Sequence, residues 1–510
     1  MGGIMFNEDC NHFVYSRCRV NTKVGLHELQ LFIDQYKGTP IKEFIMNINS
    51  MIAWFPSKTW ENVIDKYIKL KECGKDLGDI GNAAALSYDI FVRQGIDMYK
   101  VWIDRLRENG MSPWLSVRMN DLHNNEDEEH FLHSSFFSSN KHLRRASHRP
   151  HSSYYDNALS YNYPEVREHY LSLICEIAER YDFDGLELDW MREPFSLKIG
   201  TEWEGTNILT KFMRQVRSII DEFEKIRKHK IKIGVRVPFS PDIALRFGFD
   251  TIVWAKEKLV DIMVPSPRWA TIDNDMPIDL WKRLLDGTDA MLGAGLEILI
   301  EAVRKTPKRF MFNSVETARG SAASYFSMGA DRTYLFNYMD LPDAQSFDPR
   351  MAGSAVDPSN YFEFLNSIGE PDTAYKHLRR HVLTYHDITA PGVKVSSILP
   401  LNMQPPCTQG TMNFSDVRIA TGFIDKNSKV CLILGINSPE KLGSSDFLVY
   451  LNGAQCEFNG AVNIKNPKPD CAMYSFSQKY DGTMPNVSIV EIASKTRPFE
   501  IEWIEIDIQP

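Results

Sequence analysis

Cysteine is scarce and unpatterned in this chain. Eight occur in 510 residues (Cys10, Cys18, Cys73, Cys175, Cys407, Cys431, Cys456 and Cys471), with no CxxC spacing. That excludes a zinc ribbon and a dense disulfide framework, and it leaves the redox compartment open. No run of 18 or more apolar residues occurs, so no transmembrane span is expected. The opening Met1-Gly2-Gly3-Ile4-Met5-Phe6 has neither the basic nor the long apolar region of a signal peptide. A periplasmic or secreted location stays open, because a removed leader leaves no trace. Positive charge is in deficit: 58 Lys and Arg against 67 Asp and Glu give a net charge of −9, which argues against nucleic acid as a partner. No Gly-rich phosphate loop follows an apolar run, and no His or Cys spacing matches a metal motif. Neither a metal nor a cofactor is therefore expected, and the sequence leaves the oligomeric state open.

What is present is a large apolar inventory, 43% hydrophobic and 12% aromatic. The length suits a barrel of roughly 300–400 residues with a smaller appendage. Apolar β-like runs alternate with helical periods over the first three quarters, the pattern of a parallel α/β fold. Strands are expected at 4–6, 44–49, 113–119, 185–189, 231–237, 261–265, 290–298 and 332–336. Pro164, a favoured first-turn residue, opens a helix striped by Val166, Tyr170, Leu173, Ile174 and Ile177. Residues 207–227 carry Leu209, Phe212, Met213, Val216 and Ile220 at helical spacing. The reading is α/β, a (β/α)₈ TIM barrel over 1–385. Near His386 the helical periods stop and short alternating runs begin, as at 417–423, 430–436, 447–451, 487–492 and 501–508. Asn452-Gly453 and Asp481-Gly482 are hairpin signals. Residues 386–510 therefore read as a C-terminal antiparallel β-sandwich, buttressing the barrel or binding carbohydrate.

The most informative segment is Tyr181-Asp182-Phe183-Asp184-Gly185-Leu186-Glu187-Leu188-Asp189-Trp190. With a strand's period of two, Glu187 and Asp189 share one face and Leu186 and Leu188 the other. Two unpaired acids cost several kcal/mol to bury, so a strand carrying them delivers carboxylates to a site. In parallel β/α folds sites form at the C-terminal ends of strands. Those ends supply Asn7, Glu8, Asp9, Asn47, Asn49, Arg118, Asn120, Asp121, Arg236, Ser266, Arg268, Trp269, Glu297, Asn337 and Tyr338. Amides, guanidiniums and carboxylates hydrogen-bond paired hydroxyls, and Trp and Tyr stack on sugar faces. The rim suits a polyhydroxylated ligand.

Asp184 to Trp190 resembles the strand-four motif of TIM-barrel glycoside hydrolases, and is similar above all to the family-10-like group. The likeness extends through Ser116-Val117-Arg118-Met119-Asn120-Asp121-Leu122-His123, Pro164-Glu165-Val166-Arg167 and Val260-Asp261-Ile262-Met263-Val264-Pro265. The resemblance implies a barrel, a sugar-type ligand and Asp189 as a strand-four carboxylate. Family-18 chitinases share part of the motif, but their catalytic Glu falls here at Met191, which transfers no proton. A substrate-assisted mechanism is not implied.

Glycoside hydrolysis needs two carboxyl groups, about 5–5.5 Å apart for retention and roughly 6.5–9.5 Å for inversion. The first pair is Asp189 and Glu297. Glu187 lies one layer deeper and orients an arginine or raises a partner's pKa; Glu193 is the reserve acid. Arg192 and His123 join the expected substrate contacts. The excursion from His123 to His151 carries Lys141, Arg144, Arg145 and Arg149 and reads either as a solvated surface loop or as a cationic lid suited to an anionic glycan. The alternative from a different class is a non-catalytic carbohydrate-binding or scaffold protein on the same barrel.

Overall fold

The computed structural model describes the chain apart from residues 1, 21–22, 75–77, 149–152, 269–270, 302–310, 340–348, 385–387, 389, 394–397, 408–410, 465–470 and 479–484. Eight parallel strands close into a barrel. They are β1 (Ile4–Glu8), β2 (Ile41–Asn47), β3 (Ser112–Arg118), β4 (Gly185–Asp189), β5 (Lys232–Pro238), β6 (Ile262–Ser266), β7 (Met291–Leu296) and β8 (Arg332–Leu335). Each pairs with its sequence neighbour, and β8 returns to β1 with Ile4 opposite Thr333 and Phe6 opposite Leu335. The expected strands thus stand within three residues of their places. A two-stranded hairpin of Leu299–Ile300 and Met311–Phe312, absent from the sequence reading, leaves the barrel after β7.

The period of two decides what fills the barrel. Met5, Ile45, Trp114, Ile262, Val264, Tyr334 and Phe336 form a separate buried cluster inside it. Leu186, Leu188 and Trp190 belong to the larger core under the helices. Trp190 packs edge-on to Tyr161 at 5.0 Å and against Phe249 at 5.4 Å, so it supports the helical layer. The glycine of the acidic segment has a packing reason: a Cβ on Gly185 would stand 2.1 Å from the Trp114 ring.

Pro164–Arg180 and Glu202–Arg227 form helices where the apolar stripes place them. Beyond the barrel, a six-stranded and a four-stranded antiparallel sheet pack into a sandwich. Their shared core includes Val417, Leu434, Val449, Ile492 and Ile506, and takes in Ile272, Ile300 and Met311 from loops of the barrel. The six-stranded sheet already includes Arg379–Val382, paired with Phe499–Gln509. The transition expected at 386 falls outside the described residues, and so does Asp481-Gly482. Asn452 and Gly453 turn with φ of 51° and 78°, the doubly positive conformation that an Asn-Gly hairpin supplies. Among the described residues no helix is long and apolar enough to cross a membrane.

Candidate active site

The C-terminal rim of the barrel is built from inward positions of the same period. Asp189, the last residue of β4, stands beside Arg236 of β5. Arg236 donates from Nε to Asp189 Oδ1 at 2.8 Å and from Nη2 to Oδ2 at 3.2 Å. Its Nη1 turns to Glu297 Oε1 at 3.4 Å. One buried guanidinium therefore joins the carboxylates of β4 and of the turn after β7, and it lies over the Phe336 ring at 3.6 Å. Asp189 Oδ1 also accepts from the backbone N–H groups of Met191 and Arg192 at 3.0 and 2.9 Å. Glu297 Oε2 accepts from Asn337 Nδ2 at 3.3 Å, and its carbonyl accepts from the Tyr338 hydroxyl at 2.6 Å.

Glu187 lies one layer deeper, as its register implies. Its Oε1 accepts from Asn7 Nδ2 at 2.8 Å and from Ser116 Oγ at 2.7 Å, while Oε2 has no hydrogen-bond partner among the described residues. Burial, reinforced by the Asp189 carboxylate, pushes its pKa up to about 7. The Tyr334 hydroxyl beside it acts the other way and favours the carboxylate, but does not outweigh burial.

A second network crosses from β1 to the excursion after β3. Arg118 binds Asp9 at 2.5 Å and Asp121 at 3.1 Å. Asp121 accepts from His123 Nδ1 at 2.7 Å, and Arg192 Nη2 stands 2.6 Å from His123 Nε2. The ring thus stands between the Asp121 carboxylate and the Arg192 guanidinium. Burial opposes charge on Asp121, but His123, Arg192 and Arg118 outweigh it and hold its carboxyl well below the usual range. A third pair joins Glu193, on the loop after β4, to Arg268 at 3.1 Å. There burial wins over Arg268 and Arg192, and the Glu193 pKa is raised.

The rim thus brings together Asp9, Arg118, Asp121, His123, Asp189, Arg192, Arg236, Glu297 and Asn337. Other expected contacts are spent elsewhere. Asn120 is a pin for the excursion, its amide exchanging hydrogen bonds of 2.9 and 3.0 Å with the Leu159 backbone. Tyr338 is fully buried, stacked on Phe364 at 4.8 Å, and offers no face to a sugar. Among the described residues the Asn47 side chain reaches only the Ser116 carbonyl, at 3.5 Å. Trp269 lies outside the described residues.

The cationic lid needs correction. Arg144 donates to Asn157 Oδ1 and lies 4.4 Å over Phe137. Arg145 lies over Phe195 at 4.9 Å, with Asp156 and Glu202 within 4 Å. Both are buried, because the excursion folds around its own guanidiniums; Arg149 and His151 lie outside the described residues. Ser116, Tyr334 and Phe336 are not among the site residues that the sequence singles out. Their only signal is inward parity one step below the rim.

No family model matches this sequence, and no curated protein matches it. Solved structures do resemble it. Alpha-L-fucosidase isoenzyme 1 from Paenibacillus thiaminolyticus covers 97% of this chain and 96% of its own, with 12% identity and a TM-score of 0.32. The PgaB (BpsB) glycoside hydrolase domain from Bordetella bronchiseptica covers 72% and 99%, with 12% identity and a TM-score of 0.42. Chitinase ChiW from Paenibacillus sp. covers 98% of this chain and 40% of its own, with 9% identity and a TM-score of 0.41. All three are named as enzymes of glycans, and none of this likeness is specific to the family-10-like group. Likeness at these scores carries no argument about chemistry, which rests on the side chains above.

Proposed function

We propose that the chain is a glycoside hydrolase whose active site is the C-terminal rim of the barrel. The observation that supports this reading most is Arg236, buried and shared between Asp189 and Glu297. An arginine held this way, anchored on Asp189, fixes the Glu297 carboxylate at the mouth of the barrel, where a scissile bond between sugars needs one. Both oxygens of Asp189 accept hydrogen bonds from Arg236 or the backbone, so Asp189 serves to position Arg236 and the turn at Met191 and Arg192. Glu297 then acts as nucleophile or base, oriented by Arg236 and Asn337. The acid is Glu193, whose raised pKa keeps a proton available for the departing glycosidic oxygen.

The substrate in this reading is a neutral oligosaccharide or polysaccharide. Each rim guanidinium already faces a carboxylate or His123, and Arg144 and Arg145, which favoured an anionic glycan, are turned into the protein.

Glu193→Gln tests the acid assignment. Hydrolysis of a natural glycan is expected to fall by roughly 10²–10⁴-fold, while the first bond cleavage of an aryl glycoside with a good leaving group, read as the initial release of its phenol, needs no acid and keeps a near wild-type rate. Equal losses on both substrates would remove Glu193 from that role. If no glycan in a broad panel is cleaved by the wild type but some are bound, the chain is a carbohydrate-binding protein instead. The anomer first released, read by NMR, distinguishes retention from inversion.

A further inference from the structure

The outer face of the four-stranded sheet carries an aromatic pair beside an opposed pair of carboxylates. Its strands run in the order Phe414–Ala420, Val487–Ser494, Phe447–Leu451 and Ala454–Gln455. In one cross-strand row Phe414 stands opposite Ala493 and Ala493 opposite Leu448; in the next, Asp416 stands opposite Glu491 and Glu491 opposite Tyr450. Phe414 and Tyr450 reach toward each other past the small Ala493 side chain, with ring centroids 5.7 Å apart at 69°. Phe414 remains 42% exposed.

Beside this aromatic pair, Asp416 and Glu491 oppose each other directly. Like charges so placed destabilise a sheet, and among the described residues neither has a hydrogen-bond or ion-pair partner. The cation next along the strand, Arg418, is drawn off to Asp275 at 2.7 Å. Asp275 lies on the segment that leaves the C-terminal end of β6, so the face is tied to the same end of the barrel as the candidate active site.

We infer that this face is a second glycan-binding surface, which seats a neutral polysaccharide chain through the Phe414–Tyr450 pair and the Asp416–Glu491 carboxylates. The chemistry is complementary on both counts. The C–H face of a pyranose covers exposed aromatic rings, and its hydroxyls donate to carboxylate oxygens that lack donors. An unpaired acidic couple also repels a polyuronate, so the neutral chain is the occupant. The inference rests on the glycan reading of the barrel, since the occupant is the polymer the barrel cuts, and a second grip raises local substrate concentration without a new catalytic contact.

The test is electrophoresis of the full chain through native gels cast with a β-glucan, a xylan or a mannan, beside a polyuronate gel and an empty one. The Asp189→Asn background prevents the matrix from being cut. At least one neutral matrix is expected to retard the chain, and the polyuronate is not. Phe414→Ala/Tyr450→Ala should weaken retention at least tenfold, and Glu491→Gln less. Cleavage of a small soluble substrate by the otherwise wild-type chain carrying Phe414→Ala/Tyr450→Ala should be unchanged. Undiminished retention by that double variant at an unchanged melting temperature, or no retardation in any neutral gel, overturns the inference. Retention only on a cationic polymer, or only by a protein partner, does so too. Because retention and small-substrate hydrolysis are read separately, loss of the hydrolase reading leaves a distinct result from loss of this surface.

Discussion

At the scale of single residues, the site is an arrangement of guanidiniums between carboxylates, and each substitution has two readouts. Asp189→Asn removes one of two anions from Arg236 while leaving an acceptor for the Met191 and Arg192 N–H groups. Turnover is expected to fall by roughly a hundredfold or more, as loss of preorganised electrostatics does. The sequence alone suggests an isolated rim acid whose loss spares stability. The buried Arg236 pair instead implies a cost of about 3 kcal/mol, since removing one partner strands the other's charge. Kinetics and urea denaturation of the one variant check both values. Glu187 makes an opposite prediction, because its raised pKa means that the folded chain binds a proton the unfolded chain releases. Its contribution is full below pH 4.5, the ordinary value, and is lost as pH rises through about 7. Glu187→Gln keeps the neutral form at every pH. The variant's stability relative to wild type should rise by roughly 3 kcal/mol between pH 4.5 and 8. A pH-independent difference in unfolding free energy would show that Glu187 is not the titrating group.

At the scale of elements, the barrel and the helical layer meet through strand parity, and Gly185 is where the fit is tightest. A methyl there would enter the Trp114 ring, and no rotamer of a side chain wedged between β3 and β4 relieves that. Gly185→Ala is expected to cost at least about 1–3 kcal/mol, whereas Gly38→Ala, with open space around it and a strained φ, tests backbone strain alone. A smaller urea-midpoint shift at 185 than at 38 would contradict the packing account. The elements are also where the sequence was most legible. Short apolar runs between helical periods located all eight strands because each buries both faces, one inside the barrel and one under helices, and parity put Glu187 and Asp189 on the inward face. Side-chain direction at the rim was not legible. Asn120, Arg144, Arg145 and Tyr338 all sit at or beyond strand ends, yet their partners are Leu159, Asn157, Phe195 and Glu297. Loop-mediated contacts between residues distant in sequence leave no periodic trace. The hairpin at Leu299 was missed for a related reason, since two residues are too few to show alternation.

At the scale of the whole molecule, the sandwich and barrel share a polar seam buried between apolar cores. The helix Val315–Ser327 presents Ser324, whose hydroxyl donates to the Ala420 carbonyl at 2.7 Å and meets His381 Nδ1 at 3.2 Å. His381, on the strand Arg379–Val382, is fully buried with Nε2 unpartnered. Arg379 beside it hydrogen-bonds the Tyr375 and Phe423 carbonyls. Burial first, and then the Arg379 charge, push the His381 pKa well below its ordinary value. The sign follows directly. Below pH 6.5, the ordinary value, the unfolded chain takes up a proton that the folded seam refuses, so stability falls as pH drops. Acid should therefore weaken the joint between the two units, which the Asn274 amide on the Val382 carbonyl and the Asp275–Arg418 pair also hold. His381→Gln removes the titration while keeping a polar side chain. Between pH 6.5 and 4.5 its unfolding midpoint should decline less than that of wild type, even if its midpoint at pH 8 is lower. Parallel declines in the two proteins would place the acid sensitivity of the molecule elsewhere, in the carboxylates that pair with Arg118 and Arg236 at the rim.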